Sequence, residues 1–146
     1  MHEQFMRLAL AQAAQSGSDV PVGAVIVRDG QVIASAHNER EAQDSPLAHA
    51  EMLAMERPCR ALYTRRLSGC TLYVTLEPCP MCAGAILNAR IPTVVYGARE
   101  AKSGSCGSVI DLFFENYGFQ PRVYGGVRKD ECAALLRNFF LRMREK

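Results

Sequence analysis

Two cysteines three residues apart, Cys79 and Cys82, lie in the stretch Pro-Cys-Pro-Met-Cys at positions 78–82. Because the first residue of a helix has no intrahelical use for its N–H group, Pro80 indicates that a helix begins here. Residues three apart lie on one face of a helix, and the positive N-terminal end of a helix favours thiolates. The spacing therefore predicts two thiolates presented together to a metal ion, which is half of a metal site.

A third ligand must come from elsewhere in the chain, and histidine occurs only at positions 2, 37 and 49. His2 lies near the first residue, and His37 follows a predicted strand among polar residues, which is typical of a surface histidine. His49 lies between two alanines, whose small side chains let a ligand approach, and it precedes Glu51 in the pattern His-x-Glu. This pattern, followed about thirty residues later by Pro-Cys-x-x-Cys, is the signature of zinc deaminases. We therefore predict that His49 and the two cysteines bind one Zn²⁺ ion.

The predicted ligand set indicates a catalytic zinc site. One imidazole and two thiolates leave the fourth tetrahedral position to water, and zinc lowers the pKa of that water to roughly 7. Hydrolysis of an amidine also requires a proton to move from water to a ring nitrogen and to the departing amine, and Glu51 is the candidate for that shuttle. Since residues two apart lie about 200° apart on an ideal helix, Glu51 must reach across the helix end.

Length and composition predict one globular domain spanning residues 1–146, and the metal-binding pattern indicates that it is a zinc-dependent deaminase domain. The net charge is +2, and no apolar run is long enough to cross a bilayer. The first residues lack a secretory signal pattern, so we expect a cytoplasmic protein. From Arg122 onward seven basic residues face three acidic ones, which fits either phosphate binding or the solvated side of a last helix. Four cysteines outside the cluster are expected to be free thiols: Cys59, Cys70, Cys106 and Cys132.

Hydrophobic periodicity and turn signals predict the elements that position these residues. Asp29-Gly30 indicates a tight hairpin turn between the first two strands. Ser45 is predicted to cap a helix that starts at Pro46 and ends before Pro58. We predict strands over 22–27, 32–36, 71–76 and 93–96, and helices over 2–15, 48–57, 80–90 and 129–144.

The order of these elements predicts a mixed sheet covered on both faces. A strand, a helix and a strand in succession over 71–96 imply a parallel pair, whereas the hairpin adds an antiparallel one. Residues 97–107 are predicted to form a loop at a strand end, where open α/β sheets carry their sites. In the last helix, Phe139 and Phe140 continue the apolar stripe and are predicted to belong to the core.

Four stretches resemble the bacterial tRNA-specific adenosine deaminases of the zinc-dependent cytidine and deoxycytidylate deaminase superfamily: residues 21–25, 48–51, 72–85 and 94–99. The resemblance implies an α/β cytidine-deaminase-like fold with three layers, α/β/α, around a mixed five-stranded central sheet. It also implies one Zn²⁺ per subunit, a homodimer, and conversion of the wobble adenosine in a tRNA anticodon stem-loop to inosine.

Residues 102–108 and the paired phenylalanines resemble the RNA-acting branch of that superfamily. Asn38 matches the family's pocket asparagine, which can hydrogen-bond a purine, although an asparagine here also fits a turn. The chain departs from the family at Glu100, where aspartate is usual, and at Leu47, where threonine is usual.

Two other functions remain open on sequence grounds. The metal-binding pattern also occurs in deaminases of free bases or nucleosides, such as guanine or cytosine. Alternatively, the chain is a non-enzymatic RNA-binding module with a structural zinc, whose fourth ligand would come from one of the remaining cysteines. A closed site of that kind has no use for Glu51.

Overall fold

The computed structural model describes residues 1–145, so Lys146, the last residue of the expected domain, lies outside the described residues. The strands form one sheet in the order β2-β1-β3-β4-β5. The strands are β1 (Gly23–Arg28), β2 (Gln31–His37), β3 (Cys70–Leu76), β4 (Thr93–Ala98) and β5 (Arg122–Tyr124). The helices are α1 (His2–Ala13), α2 (Ala50–Ala61), α3 (Pro80–Ala89) and α4 (Lys129–Arg144), with a short 3-10 turn at Leu112–Phe114.

The pairing confirms the predicted mixed sheet of five strands. β1 is antiparallel to both β2 and β3, whereas β3 and β4 are parallel, as are β4 and β5. Asp29 and Gly30 have φ values of 51° and 76°, the left-handed conformation that a tight hairpin turn requires. The sequence patterns had not located β5, because its three residues are too few for an alternating pattern to register.

Helices cover both faces of the sheet, which confirms the three-layer α/β/α fold. Along β1, Ile26 packs into a cluster with Leu53 of α2 and Ile86 of α3. The preceding residue, Val25, packs into a second cluster with residues of α1 and α4 such as Met6 and Cys132. Alternate residues of a strand point to opposite faces, so both faces of this central strand are buried. No helix within residues 1–145 has the length and apolar character needed to span a membrane.

The start and end of α2 differ from the prediction. The helix begins at Ala50 with His49 as its N-cap, and it continues through Pro58 to Ala61. Ser45 does not cap it; its Oγ accepts a hydrogen bond from the Leu47 N–H group in a preceding turn. Pro58 is tolerated because it falls near the end of the helix, where its missing donor breaks a single backbone bond, and because its ring is buried.

Gly97 belongs to β4 and not to the predicted loop, since the strand continues to Ala98. A Cβ atom at this position would lie 2.3 Å from the sulfur of Cys132 and 2.9 Å from the Thr75 carbonyl oxygen. The glycine therefore allows α4 to pack directly on the end of the sheet. The loop that follows begins at Arg99 and runs beside the end of β3.

Candidate active site

The predicted ligand residues His49, Cys79 and Cys82 lie together at the N-terminal ends of α2 and α3. The Nδ1 atom of His49 is 3.8 Å from the sulfur of Cys79 and 3.7 Å from that of Cys82. All three donor atoms lie within 4.8 Å of one another. The two sulfur atoms and the ring nitrogen therefore converge on one point.

These distances fit a tetrahedral ion of the size of zinc. With Zn–S bonds of about 2.3 Å and Zn–N bonds of about 2.0–2.1 Å, tetrahedral geometry separates a sulfur ligand from a nitrogen ligand by about 3.6 Å. The observed separations, 3.7 and 3.8 Å, agree with this value. The described residues hold a histidine and two cysteines in a geometry that could bind a metal ion without rearrangement.

Both helices begin with a ligand residue as their N-cap. Cys79 is the N-cap of α3 in extended conformation, followed by Pro80 in the first turn, and His49 occupies the same position on α2. The unpaired amides and positive dipole ends of two helices therefore meet at this point, which favours thiolates. Hydrogen bonds, first from Cys82 and then from His49, lower the pKa of Cys79 to about 4 despite its burial.

Glu51 faces the same cavity as His49, which answers the expected difficulty of their spacing. As an N-cap residue, His49 has extended backbone angles of φ −73° and ψ 149°, so the two side chains are not related by helical rotation. The Glu51 side chain lines the cavity with His49 and Cys79 and is only 4% exposed. Burial raises the pKa of its carboxyl group, a shift that suits a group exchanging protons near neutral pH.

The cavity has a volume of about 220 Å³ and lies beside the three ligand residues. This volume is below the range of about 300–1,000 Å³ typical of pockets for drug-sized ligands, so it suits one small ring system. Besides the predicted residues, its lining includes these side chains: Val20, Val22, Arg40, Leu76, Glu77, Glu100, Ser103 and Phe140.

Asn38 lines the cavity, but its side chain also holds the backbone. Its Oδ1 atom accepts a hydrogen bond of 2.9 Å from the Ala50 N–H group, and its Nδ2 group donates to the Val20 carbonyl over 3.0 Å. Asn38 thereby satisfies one free amide at the start of α2, beside His49. An asparagine amide offers two N–H donors and two acceptor lone pairs, so one of each remains for another partner.

Asp19 was not identified from the sequence, although it supports one wall of the cavity. Its buried carboxylate accepts hydrogen bonds from the backbone N–H and the guanidinium group of Arg40, as well as from two further amides, those of Val20 and Glu41. Burial alone would raise the pKa of Asp19, but these hydrogen bonds lower it below its ordinary value. No local pattern marks this role, because Arg40 is far along the chain.

The two phenylalanines of α4 differ in environment. Phe139 is buried as predicted, whereas Phe140 is 48% exposed and lines the cavity, so its assignment to the core was wrong. The rings meet edge to face with centroids 5.3 Å apart. The sheet therefore buries only part of the apolar stripe of α4. Phe140, the last aromatic residue of that stripe, lies at the cavity instead.

The cysteines outside the cluster do not contribute to the metal-binding group. Within residues 1–145 that group contains only His49, Cys79 and Cys82, and all six cysteines are free of disulfides. The fourth ligand that a closed structural zinc site would need, a third cysteine sulfur, is therefore not in place among the described residues. His49 and Cys79 line the same cavity as Glu51.

Known proteins resemble this chain over nearly its whole length. A family model for MafB19-like deaminases matches residues 1–144. A tRNA-specific adenosine deaminase of Bacillus subtilis strain 168 is 46% identical over 147 residues, covering 99% of this chain and 91% of that protein. A solved structure from a study of A-to-I editing by tRNA:A34 deaminases has a TM-score of 0.87 and 43% identity, covering 91% of this chain and 99% of that one.

A guanine deaminase structure from Bacillus subtilis is also similar, with a TM-score of 0.67 and 40% identity. That similarity covers 77% of this chain and 73% of the other. The range matched by the family model, residues 1–144, contains His49, Cys79, Cys82 and the residues that line the cavity. The chain therefore belongs to the MafB19-like deaminase family and, by its identity to the Bacillus subtilis protein, to the family of tRNA-specific adenosine deaminases.

Proposed function

We propose that this protein hydrolyses adenosine to inosine at the wobble position of a tRNA anticodon loop. The observation that carries the proposal is that His49, Cys79 and Cys82 bring three donor atoms together beside a small cavity that His49, Cys79 and Glu51 line. The substrate is supported by similarity of more than 40% to proteins named for adenosine deamination in tRNA. Because tRNA is used in translation in the cytoplasm, we propose that the enzyme is cytoplasmic. We also propose that it acts as a single domain.

His49, Cys79 and Cys82 would hold one Zn²⁺ ion per subunit. When bound by three protein ligands, zinc activates water as a nucleophile at neutral pH. Side chains of the cavity would transfer the protons and orient the base. In the overall reaction the water oxygen bonds to C6 of adenine, the bond from C6 to the exocyclic nitrogen breaks, and ammonia leaves.

Glu51 would carry the protons of this reaction. One proton of the attacking water must reach the ring nitrogen N1, and another must reach the exocyclic nitrogen so that ammonia departs instead of an amide ion. A buried carboxyl group whose pKa is raised can accept and return a proton in turn. The position of Glu51 in the cavity, beside two metal ligands, supports this role.

Asn38 and Phe140 would orient the base. Asn38 keeps one N–H donor and one lone pair that are not used by the backbone, and these can pair with a purine. Phe140 lines the cavity and is 48% exposed, and an aromatic ring there can stack on a base that is splayed out of the anticodon loop.

The homodimer expected from the family resemblance is proposed for the face formed by α2 and α3. A groove of about 850 Å³ lies there, and its lining combines apolar side chains such as Met52, Leu53 and Met55 with charged ones such as Arg65 and Arg66. At the edge of this groove the apolar side chain of Leu47 is 60% exposed. Exposure of apolar surface to water is unfavourable, and burial against a second copy would remove this unfavourable free energy. Sedimentation equilibrium of wild type and of Leu47→Lys tests this, and a Leu47→Lys protein that stays dimeric would count against this face.

The decisive experiment is a wobble-inosine assay. Purified zinc-loaded protein is incubated with an anticodon stem-loop carrying adenosine at the wobble position, and inosine is scored after nuclease digestion by mass spectrometry. A stem-loop with guanosine at that position serves as the control. We expect inosine with wild type and none with Glu51→Gln, which should still bind one zinc ion. Unchanged adenosine with zinc bound would refute the proposal.

The similarity to guanine deaminase favours a second candidate, deamination of a free base. Ammonia release from guanine or cytosine in the absence of RNA separates the two functions. Activity on a free base together with no inosine in the stem-loop would favour the second candidate.

A further inference from the structure

We propose that Glu77 is a positioning residue that fixes the 100–108 loop over the substrate cavity, and thereby sets the affinity of the enzyme for the anticodon loop. The inference rests on the proposed function, because it concerns how that substrate is held. Glu77 is the last residue before the Pro-Cys that begins the metal-binding stretch, and its side chain is 2% exposed.

All acceptor sites of the Glu77 carboxylate are used by this one loop. Oε1 accepts hydrogen bonds from the Glu100 N–H group, over 3.1 Å, and from the Ser108 hydroxyl. Oε2 accepts from the N–H groups of Cys106 and Ser108 over 3.0 and 3.1 Å. A carboxylate has about four lone-pair sites. The four hydrogen bonds from the loop therefore occupy the acceptor sites of Glu77, and no acceptor site remains for a substrate.

The loop is also fitted closely against this carboxylate. A Cβ atom on Gly104 would lie 2.5 Å from Cδ of Glu77 and 2.4 Å from the Glu100 carbonyl oxygen. The Ser105 N–H group donates to the carbonyl of Pro78 over 2.9 Å. The 100–108 loop therefore packs against and hydrogen-bonds to the segment, residues 77–79, that carries the proposed metal ligand Cys79.

The loop places two side chains on the cavity wall, those of Glu100 and Ser103. Glu100 directs Oε1 to the N–H group of Lys102, so its orientation depends on the backbone that Glu77 holds. Loosening this backbone would leave the metal ligands and Glu51 in place and would change only the wall that meets the substrate.

The variant Glu77→Gln isolates one bond of the network. If the amide nitrogen replaces Oε1, the Ser108 hydroxyl can rotate to accept from it, while the remaining oxygen keeps the amides of Cys106 and Ser108. The Glu100 N–H group then faces a donor and loses its partner. The substitution therefore acts on Glu100, whose side chain lines the cavity.

The test measures KM and kcat for the wobble-adenosine stem-loop with zinc-loaded wild type and Glu77→Gln. We expect KM to rise about tenfold, as for the loss of one hydrogen bond to a charged acceptor, with kcat and zinc stoichiometry unchanged. Hydrogen exchange should speed up at residues 100–108 and not in β1. A purely structural defect would lower the active fraction, and hence Vmax, without raising KM.

Two further variants keep the test decisive. Ser108→Ala removes a single bond and should raise KM by about two- to fivefold, which applies even if Glu77→Gln does not fold. Ile26→Val, a buried change remote from the loop, should lower stability and leave KM at the wild-type value. Active wild type with an unchanged KM in both Glu77→Gln and Ser108→Ala overturns the inference, as does loss of zinc from Glu77→Gln. Inactive wild type refutes the proposed function instead.

Discussion

Replacing Asn38 with alanine should destabilise the protein through the backbone before it affects the substrate. The change removes the acceptor of the Ala50 N–H group and the donor to the Val20 carbonyl, and Ala50 is fully buried. An unsatisfied buried polar group costs about 1–3 kcal/mol, so two of them should lower the free energy of unfolding by about 2–6 kcal/mol. With an m-value of about 2 kcal/mol/M in urea, the midpoint should fall by about 1–3 M.

The matched variant Asn38→Asp separates the two bonds. Its carboxylate can still accept from the Ala50 N–H group, and a negative charge at a helix N-terminus is favourable, so only the donor to Val20 is lost. Urea unfolding of the zinc-free proteins should therefore rank wild type above Asn38→Asp and Asn38→Ala lowest. Zinc affinity should follow the same order, because the anchored amide is adjacent to His49. If Asn38→Ala unfolds at the wild-type midpoint and only KM rises, the reasoning is wrong and Asn38 serves the substrate alone.

Three further perturbations have defined outcomes. Asp19→Asn should lose stability above about pH 4, because the pKa of Asp19 is lowered in the folded state. Its deficit relative to wild type should shrink as the pH falls through that lowered value, in urea midpoints measured across pH 2–7. Gly97→Ala should cost about 1–3 kcal/mol by overpacking against Cys132, and Cys132→Ala in the same chain should recover part of that loss. Glu51→Gln should retain one zinc ion by atomic absorption while producing no inosine, and residual turnover would remove Glu51 from proton transfer.

The residues proposed to perform the chemistry were identifiable from short patterns in the sequence, because metal ligation imposes spacing on neighbours along the chain. Cys79 and Cys82 are three apart so that both face one point at a helix start, and the structure brings them together with His49. The hairpin at Asp29 and the bounds of α4 were predicted as observed. In each of these cases the signal lies within a few residues of the feature it specifies.

The start of α2 was predicted wrongly because its cap is not local. Ser45 and Pro46 form a stronger local start signal than His49, whose side chain makes no capping bond at the helix start. The amide at that start is instead satisfied by Asn38, twelve residues earlier in the chain. This error also created the expected difficulty over Glu51, since His49 and Glu51 can face the same cavity only if His49 lies outside the helix.

The walls of the cavity depend on bonds of the same non-local kind. Three buried side chains, Asp19, Asn38 and Glu77, each accept hydrogen bonds from the backbone of a segment remote in sequence. These acceptors fix the segment at Arg40, the start of α2 and the 100–108 loop, respectively. Such a bond depends on the whole fold, because donor and acceptor meet only after the sheet has formed. Local patterns therefore indicate which residues are candidates for the reaction, whereas the long-range acceptors determine where those residues lie. Variants of these acceptors should change substrate affinity and stability more than the chemical step.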